Sequence, residues 1–174
     1  MEEGSLSSFA EYVLGCHASL YRYARSLCGE PGEAEDLLQE TYKRALAAKR
    51  KPVAANADEI RPWMFTVMRH IWQNDRRRAA RSRETLFEDT PNVSGDYTEF
   101  GMTRKLLVSE VRAAVDSLPV TAREIIVLRD VEDLSYAEIA TILGCPIGTV
   151  MSRLARSREQ LRQLLMPRVP EVRR

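Results

Sequence analysis

The residues best equipped for chemistry in this sequence are charged, and they are segregated. Between Glu30 and Tyr42 stand Glu30, Glu33, Glu35, Asp36 and Glu40, with no base among them. From Arg69 to Arg83 run Arg69, Arg76, Arg77, Arg78, Arg81 and Arg83 against Asp75 alone. Acids return as Glu84, Glu88, Asp89, Asp96 and Glu99, and a second basic cluster follows at Arg153, Arg156, Arg158 and Arg162. Carboxylates such as Glu33, Asp36 and Glu40 could serve a metal-dependent nuclease only if they converged on one site. Here they follow one outward helical turn, and His17 and His70 lie far from them in sequence. No Gly-rich phosphate loop and no nucleophile motif accompanies them. The sequence therefore implies no catalytic residues, no metal and no cofactor. Two basic faces on an acidic frame point instead to a chain that touches DNA in two places, or else to solvated helix faces, the usual fate of a charge run.

Composition agrees with a binding protein. The 174 residues are 44% hydrophobic and 29% charged, and the net charge of +1 conceals the segregation just described. No apolar run approaches the roughly 20 residues needed to cross a bilayer. The acidic start, Met1-Glu2-Glu3-Gly4-Ser5, is wrong for a secretory signal. A cytoplasmic protein with no membrane insertion is expected. Cys16, Cys28 and Cys145 form no C-x-x-C pair, and Cys16 beside His17 lacks zinc-ligand spacing, so the cysteines read as small apolar residues.

The elements that must carry these charges all read as helices. One helix is expected over about 5–27, with Phe9, Val13, Cys16, Leu20, Ala24 and Leu27 on one face, ended by Gly29-Glu30-Pro31-Gly32. A second, over about 32–48, presents Ala34, Leu37, Leu38, Thr41, Ala45 and Leu46. A loop over 49–59 precedes a third, with Ile60, Trp63, Met64, Val67, Met68 and Ile71 inward, which runs on into the arginines. Trp63 is expected to be a core residue. The acidic stretch 84–103 has linker composition and divides the chain into halves of roughly 70 to 80 residues, each marginal alone. The second half opens with Leu107, Val111, Ala114, Val115 and Leu118 at helical spacing, and Pro119 ends that helix. Thr121 with Glu124, and Ser135 with Glu138, have capping-box spacing, predicting helices over about 121–131 and 135–143. A last helix from near Pro146 turns Val150, Leu154, Ser157, Leu161 and Leu164 inward.

The stretch from Leu134 to Val150 has the spacing of a helix-turn-helix. Ala140 is small where two helices cross, Gly144 can adopt the positive φ of a tight turn, and Val150 packs the second helix on the first. Such a motif lays its second helix in the major groove. Thr149, Ser152, Arg153 and Arg156 would face outward there, the arginines binding phosphate or a guanine edge. Arg158 and Arg162 would at best reach the backbone.

These segments together resemble the extracytoplasmic-function (ECF) sigma factors of the sigma-70 family. Ser135-Tyr-Ala-Glu-Ile-Ala140, Gly144-Cys-Pro-Ile-Gly-Thr-Val150 and Ser152-Arg-Leu-Ala-Arg-Ser-Arg-Glu-Gln-Leu161 are similar to region 4. Glu35-Asp-Leu-Leu-Gln-Glu-Thr-Tyr42 is similar to the polymerase-binding helix of region 2, and the run from Arg61 to Arg78 to its promoter-melting segment. The resemblance implies an all-α fold of two small helical domains, a region 2 bundle (1–83) and a region 4 helix-turn-helix (104–174), joined by a flexible acidic linker (84–103). It implies an alternative sigma factor, not an enzyme, that binds core RNA polymerase through the largest subunit's clamp helices and the second-largest subunit's flap. Asp36, Gln39 and Glu40 are assigned to the polymerase contact. His70, Trp72, Arg76, Arg77 and Arg78 are assigned to the −10 element, and Thr149, Met151, Ser152, Arg153 and Arg156 to the −35 element. Many relatives carry asparagine at His70 and lysine or arginine at Met151, so the promoter sequence cannot be copied from relatives. An anti-sigma partner and a cytoplasmic location, on the nucleoid when polymerase-bound, are also implied. The alternative is a stand-alone helix-turn-helix regulator, which would leave the acidic turn and the aromatic, arginine-rich helix unexplained.

Overall fold

The computed structural model describes residues 2–49, 52, 57–83 and 102–166. Among them are eight α-helices and no strand: α1 (Glu2–Gly15), α2 (His17–Cys28), α3 (Pro31–Ala47), α4 (Ala57–Arg83), α5 (Met102–Asp116), α6 (Val120–Ile126), α7 (Tyr136–Leu143) and α8 (Ile147–Leu165). A π-helical turn, Val127–Val131, continues α6. The acidic stretch 84–101, most of the loop before α4 and the Leu107 side chain lie outside the described residues.

The first half packs α2 against α3 and α4, with α1 laid on α4. The single helix expected over 5–27 is two, because the chain turns at Cys16. Cys16 N–H still bonds back to Tyr12 O (3.2 Å), so both pieces keep one inward stripe from Phe9 and Val13 to Leu20, Ala24 and Leu27. Between α2 and α3, Gly29 takes φ 85° and Pro31 opens the next helix. A residue without Cβ tolerates that φ, and proline's missing N–H is no loss at a first helical turn. α4 starts at Ala57, before the expected position, and its core stripe is Ile60, Met64, Met68 and Ile71. Trp63 is partly buried with its edge against Phe9, 6.0 Å between centroids. Leu46, expected inside, is 52% exposed.

In the second half α6, α7 and α5 pack around α8. Val150, Leu154 and Ser157 are buried on α8 as expected, whereas Leu164 is exposed; on α5, Ala114 is buried and Val111 is exposed. Ser135 and Glu138 form the reciprocal capping box at α7, and Gly144 ends that helix at φ 62° in the left-handed region. The box expected at Thr121 and Glu124 does not form. The N-cap of α6 is Pro119, with no side-chain cap. Glu124 is buried and turns away, accepting from Tyr23 Oη at 2.7 Å and Arg69 Nε at 2.8 Å in the other half. A buried carboxylate needs charged or hydroxyl donors more than it needs an exposed backbone amide.

That contact is one of a set that docks the halves on each other, burying their facing apolar residues in one continuous cluster. α6 and the π turn lie across α2, while α7 packs on α4. Glu132, with no side-chain exposure, accepts from Arg22 Nε and Arg61 Nη2, both at 2.7 Å. Arg61 also donates to Glu132 O at 2.8 Å. Arg123 reaches Ser26 O at 2.6 Å and Asp116 O at 2.9 Å, and burial lowers its pKa. Burial alone would raise the Glu132 pKa, but hydrogen bonds from Arg22, Ser19 and Arg61 outweigh it and hold the carboxyl below its usual range.

A depressed carboxyl pKa stabilises the docked form fully above the ordinary glutamate value and loses that stabilisation as pH falls through the folded value. Urea unfolding followed from about pH 6 to about pH 3 should show stability lost at the acid end, and Glu132→Gln should flatten that loss. Gly144→Ala should cost about 1 kcal/mol through left-handed strain. Gly148→Ala in α8, where an added Cβ meets nothing within 4 Å, should not destabilise. Paired denaturant titrations check both substitutions.

Candidate polymerase and DNA interfaces

α3 places Asp36 and Gln39 on its exposed side, with Glu40 half-exposed and paired to Arg44 at 2.8 Å. The packing of α3 on α4 then makes a groove of about 550 Å³ lined by these three residues and Lys43 from α3 and by Trp72 and Arg76 from α4. Arg76 stacks over the Trp72 ring at 5.1 Å. The half-buried Cys28 also lines the groove, and burial, with Glu33 nearby, pushes its thiol up to about 12. A thiol so reluctant to ionise is an apolar wall rather than a nucleophile. The groove presents carboxylates and an amide beside an aromatic–guanidinium stack, a mixed surface suited to a partner helix bearing cations and amides.

The residues assigned to the −10 element do not form one cluster. Trp72 and Arg76, four apart on α4, share the groove with Asp36, Gln39 and Glu40. His70, about 160° around the helix from Trp72, is exposed on another face. Arg77, seven residues beyond His70, returns to the same face and is exposed as well. Arg78 is exposed and lies 3.9 Å from Asp75, an i,i+3 pair of little energetic weight. α4 thus splits the set into a groove pair, Trp72 and Arg76, and three residues outside the groove, His70, Arg77 and Arg78.

On α8, Thr149, the adjacent Ser152 and Arg153, and Arg156 lie on one side of the helix. Thr149 is half-exposed and the other three are exposed. Ser152 Oγ donates to Thr149 O at 3.1 Å and Arg156 Nε to Ser152 O at 3.3 Å, which settles both side chains along the helix. Met151, 53% exposed, lies on the opposite flank of the buried stripe. Arg158 is held by Asp130 of the π turn, with Nε–Oδ2 at 3.1 Å, and Arg162 pairs with Glu159 at 2.7 Å. Both lie off the side of α8 that carries Thr149, Ser152, Arg153 and Arg156. Arg129 supports the turn before α7, donating to Leu134 O at 2.7 Å and lying over the Tyr136 ring.

Sequence reasoning missed Arg22, Tyr23, Arg61, Glu124 and Glu132. The available signal was an acid embedded in the apolar run Ala122-Arg123-Glu124-Ile125-Ile126, where only a paired charge can be buried. The three cysteines are free and partly buried, and the described residues contain no cluster of ligands for a metal ion. No helix among the described residues is long and apolar enough to cross a membrane.

Comparison with known proteins accounts for this two-part arrangement. Residues 13–82 match the sigma-70 region 2 family and residues 109–161 the sigma-70 region 4 family. The chain is 36% identical to the ECF RNA polymerase sigma factor EcfG of Rhodopseudomonas palustris, over 91% of this chain and 85% of that protein. It is 34% identical to ECF sigma factor SigE of Mycolicibacterium smegmatis, over 94% of this chain and 64% of that one. Among solved structures it resembles the sigma factor RpoE in complex with the anti-sigma factor NepR from Bartonella quintana, with a TM-score of 0.67 at 27% identity, covering 90% of this chain and 96% of that one. The fold is also shared with CnrH, solved in complex with the cytosolic domain of CnrY, with a TM-score of 0.57 at 21% identity over 90% of this chain and 86% of that one. An acidic turn beside an arginine-rich helix, followed by a helix-turn-helix with an exposed cationic face, is thus the region 2 and region 4 pair of an alternative sigma factor directing transcription initiation, and the chain belongs to the ECF RNA polymerase sigma factors of the sigma-70 family.

Proposed function

We propose that this chain directs core RNA polymerase to a particular set of promoters through three separate surfaces. Asp36, Gln39 and Glu40 on α3 dock on the clamp helices of the largest subunit, with Trp72 and Arg76 completing that groove. His70 and Arg77 on the outward face of α4, with Arg78 beside them, hold the −10 element. Thr149, Ser152, Arg153 and Arg156 on α8 enter the major groove of the −35 element, with Met151 at the edge of that contact, while the second half rests on the polymerase flap. The functional units are 1–83 and 104–174, joined by 84–103. Phosphodiester synthesis belongs to the polymerase, and the chain works in the cytoplasm without catalysis of its own. The structure of the Bartonella RpoE–NepR complex supports an anti-sigma partner of the same kind here.

The observation that carries this reading is the pair of exposed cationic faces, one on each half, beside a groove of opposite character. A stand-alone regulator needs the α8 face but has no use for the acidic turn of α3.

Run-off transcription with purified core polymerase on a pool of genomic promoters tests it. Transcripts from a discrete promoter set should appear only when the chain is added. Asp36→Ala should weaken polymerase binding about tenfold, the loss of one charge-assisted hydrogen bond. Arg153→Ala should relax discrimination at one −35 position by about 1–3 kcal/mol and leave polymerase binding intact. Tight promoter binding without polymerase and no stimulated transcript would overturn the reading in favour of a stand-alone regulator.

A further inference from the structure

Three exposed surfaces of α8 run side by side over its first turns, and one of them is apolar. The buried stripe of the helix is Val150, Leu154 and Ser157. Farthest from it around the axis stand Gly148, Ser152 and Ala155, all exposed and none larger than serine. Arg153 lies about 100° to one side of Ser152 and Met151 about 100° to the other. Arg153 and Arg156 make the first flank cationic. Ile147 and Met151, four residues apart and so on one face, make the second. They are 48% and 53% exposed, a large apolar surface to leave in water at the start of a helix that meets a partner.

The charges on this second flank narrow what it can touch. Ile147 and Met151 bring no cation to it, and Arg158, farther along the same flank, is already held by Asp130. Phosphates are held by cations and hydrogen-bond donors, so an uncharged apolar flank that enters a DNA groove belongs against base edges. The row of small residues beside it lets the helix sit close to those edges. In the major groove the apolar group that a base pair displays is the C5 methyl of thymine. A methionine suits it, since an unbranched thioether adapts its shape to a small apolar neighbour. Ile147 and Met151 are about 6 Å apart along the axis. Successive base pairs rise about 3.4 Å, so the flank covers about two of them.

We propose that Met151, with Ile147 one turn before it, is a seat for thymine methyl groups and selects thymine over cytosine within the −35 element. The inference rests on the reading of α8 as the helix that enters the −35 major groove. It makes Met151 a determinant of promoter choice rather than a residue at the edge of that contact, and it adds Ile147. Burying the methyl against the thioether removes both from water, and cytosine offers no methyl to bury. The two flanks then divide the element between them. Arg153 and Arg156 hold phosphate and guanine on one side of the helix, while Met151 and Ile147 select thymine on the other.

Deoxyuridine pairs as thymidine does and lacks only the methyl, so exchanging the two isolates the contact. Holoenzyme assembled from the full chain and core polymerase is titrated with promoters returned by run-off transcription, each −35 thymine replaced by deoxyuridine in turn. The wild-type holoenzyme should lose about fourfold in affinity at one −35 thymine or at two neighbouring ones, the contribution of a buried methyl. Met151→Ala should weaken binding to the thymine promoter by about the same factor and show no further loss with deoxyuridine. Met151→Leu, of similar volume, should keep the penalty, and Ile147→Ala should lower it in part. The salt slope of Met151→Ala should equal that of the wild type, because no phosphate contact is lost. Deoxyuridine tolerated at every −35 thymine, a penalty that survives Met151→Ala, or −35 elements without thymine would overturn the inference. A shallower salt slope in Met151→Ala would overturn it too, in favour of a role in placing the cationic flank. Any of these results obtained with promoters that the holoenzyme does transcribe leaves the sigma reading standing. Absence of stimulated transcripts overturns that reading, and this inference with it.

Discussion

Two buried carboxylates set between three arginines decide how the halves of this chain meet. Burying an ion costs several kcal/mol, and an opposing charge recovers it only with good geometry and complete hydrogen bonding. Glu132 has both, with two guanidiniums at 2.7 Å, and Glu124 has a guanidinium and a phenol. The apolar contact around them, including Phe65, Ile125 and Leu128, supplies the driving force for docking. The ion pairs supply its direction, since any sliding of one half on the other would strand a charge in an apolar setting. Neither half is large enough for a generous core of its own, and the shared cluster makes one adequate core from two small ones.

α4 bears the consequences of this arrangement. One face carries Arg61 and Arg69 into the contact between halves and, with them, Trp72 and Arg76 into the groove beside α3, while another face leaves His70 and Arg77 in solvent. The helix separates by angle what the sequence places side by side. Its charges therefore keep distinct neighbours: the cations between the halves meet carboxylates, Arg76 meets a ring, and the outward cations remain open to a partner.

The sequence exposed the helices well because each owes its position to an apolar stripe of constant period. Ile60, Met64, Met68 and Ile71, or Val150 and Leu154, could face no other way. The helix-turn-helix was legible for the same reason, aided by the local chemistry of Ser135, Glu138 and Gly144. Contacts between segments distant in the chain left no such trace. Glu124 stands three residues after Thr121 and so mimics a capping partner, while its actual donors are about a hundred residues away in sequence for Tyr23 and about half that for Arg69. The residues His70, Trp72 and Arg76–Arg78, close in sequence, spread over different faces because neighbours diverge by about 100° around a helix. Helical periodicity alone is enough to set His70 and Trp72 on different faces of α4.

The π turn at Val127–Val131 has a consequence for phase. Glu124 and Glu132 are eight residues apart, and in an uninterrupted α-helix they would diverge by about 80° around the axis. A turn closed by i→i+5 bonds, as Glu132 N–H closes on Val127 O at 2.9 Å, advances less per residue and lags behind the α-helical count. The lag accumulates over the five residues of the turn and swings the later carboxylate back toward the earlier one. The wide turn is thus a phase slip that lets one continuous rod present both anions to the same wall, with the register of the fit set by backbone winding rather than by a loop.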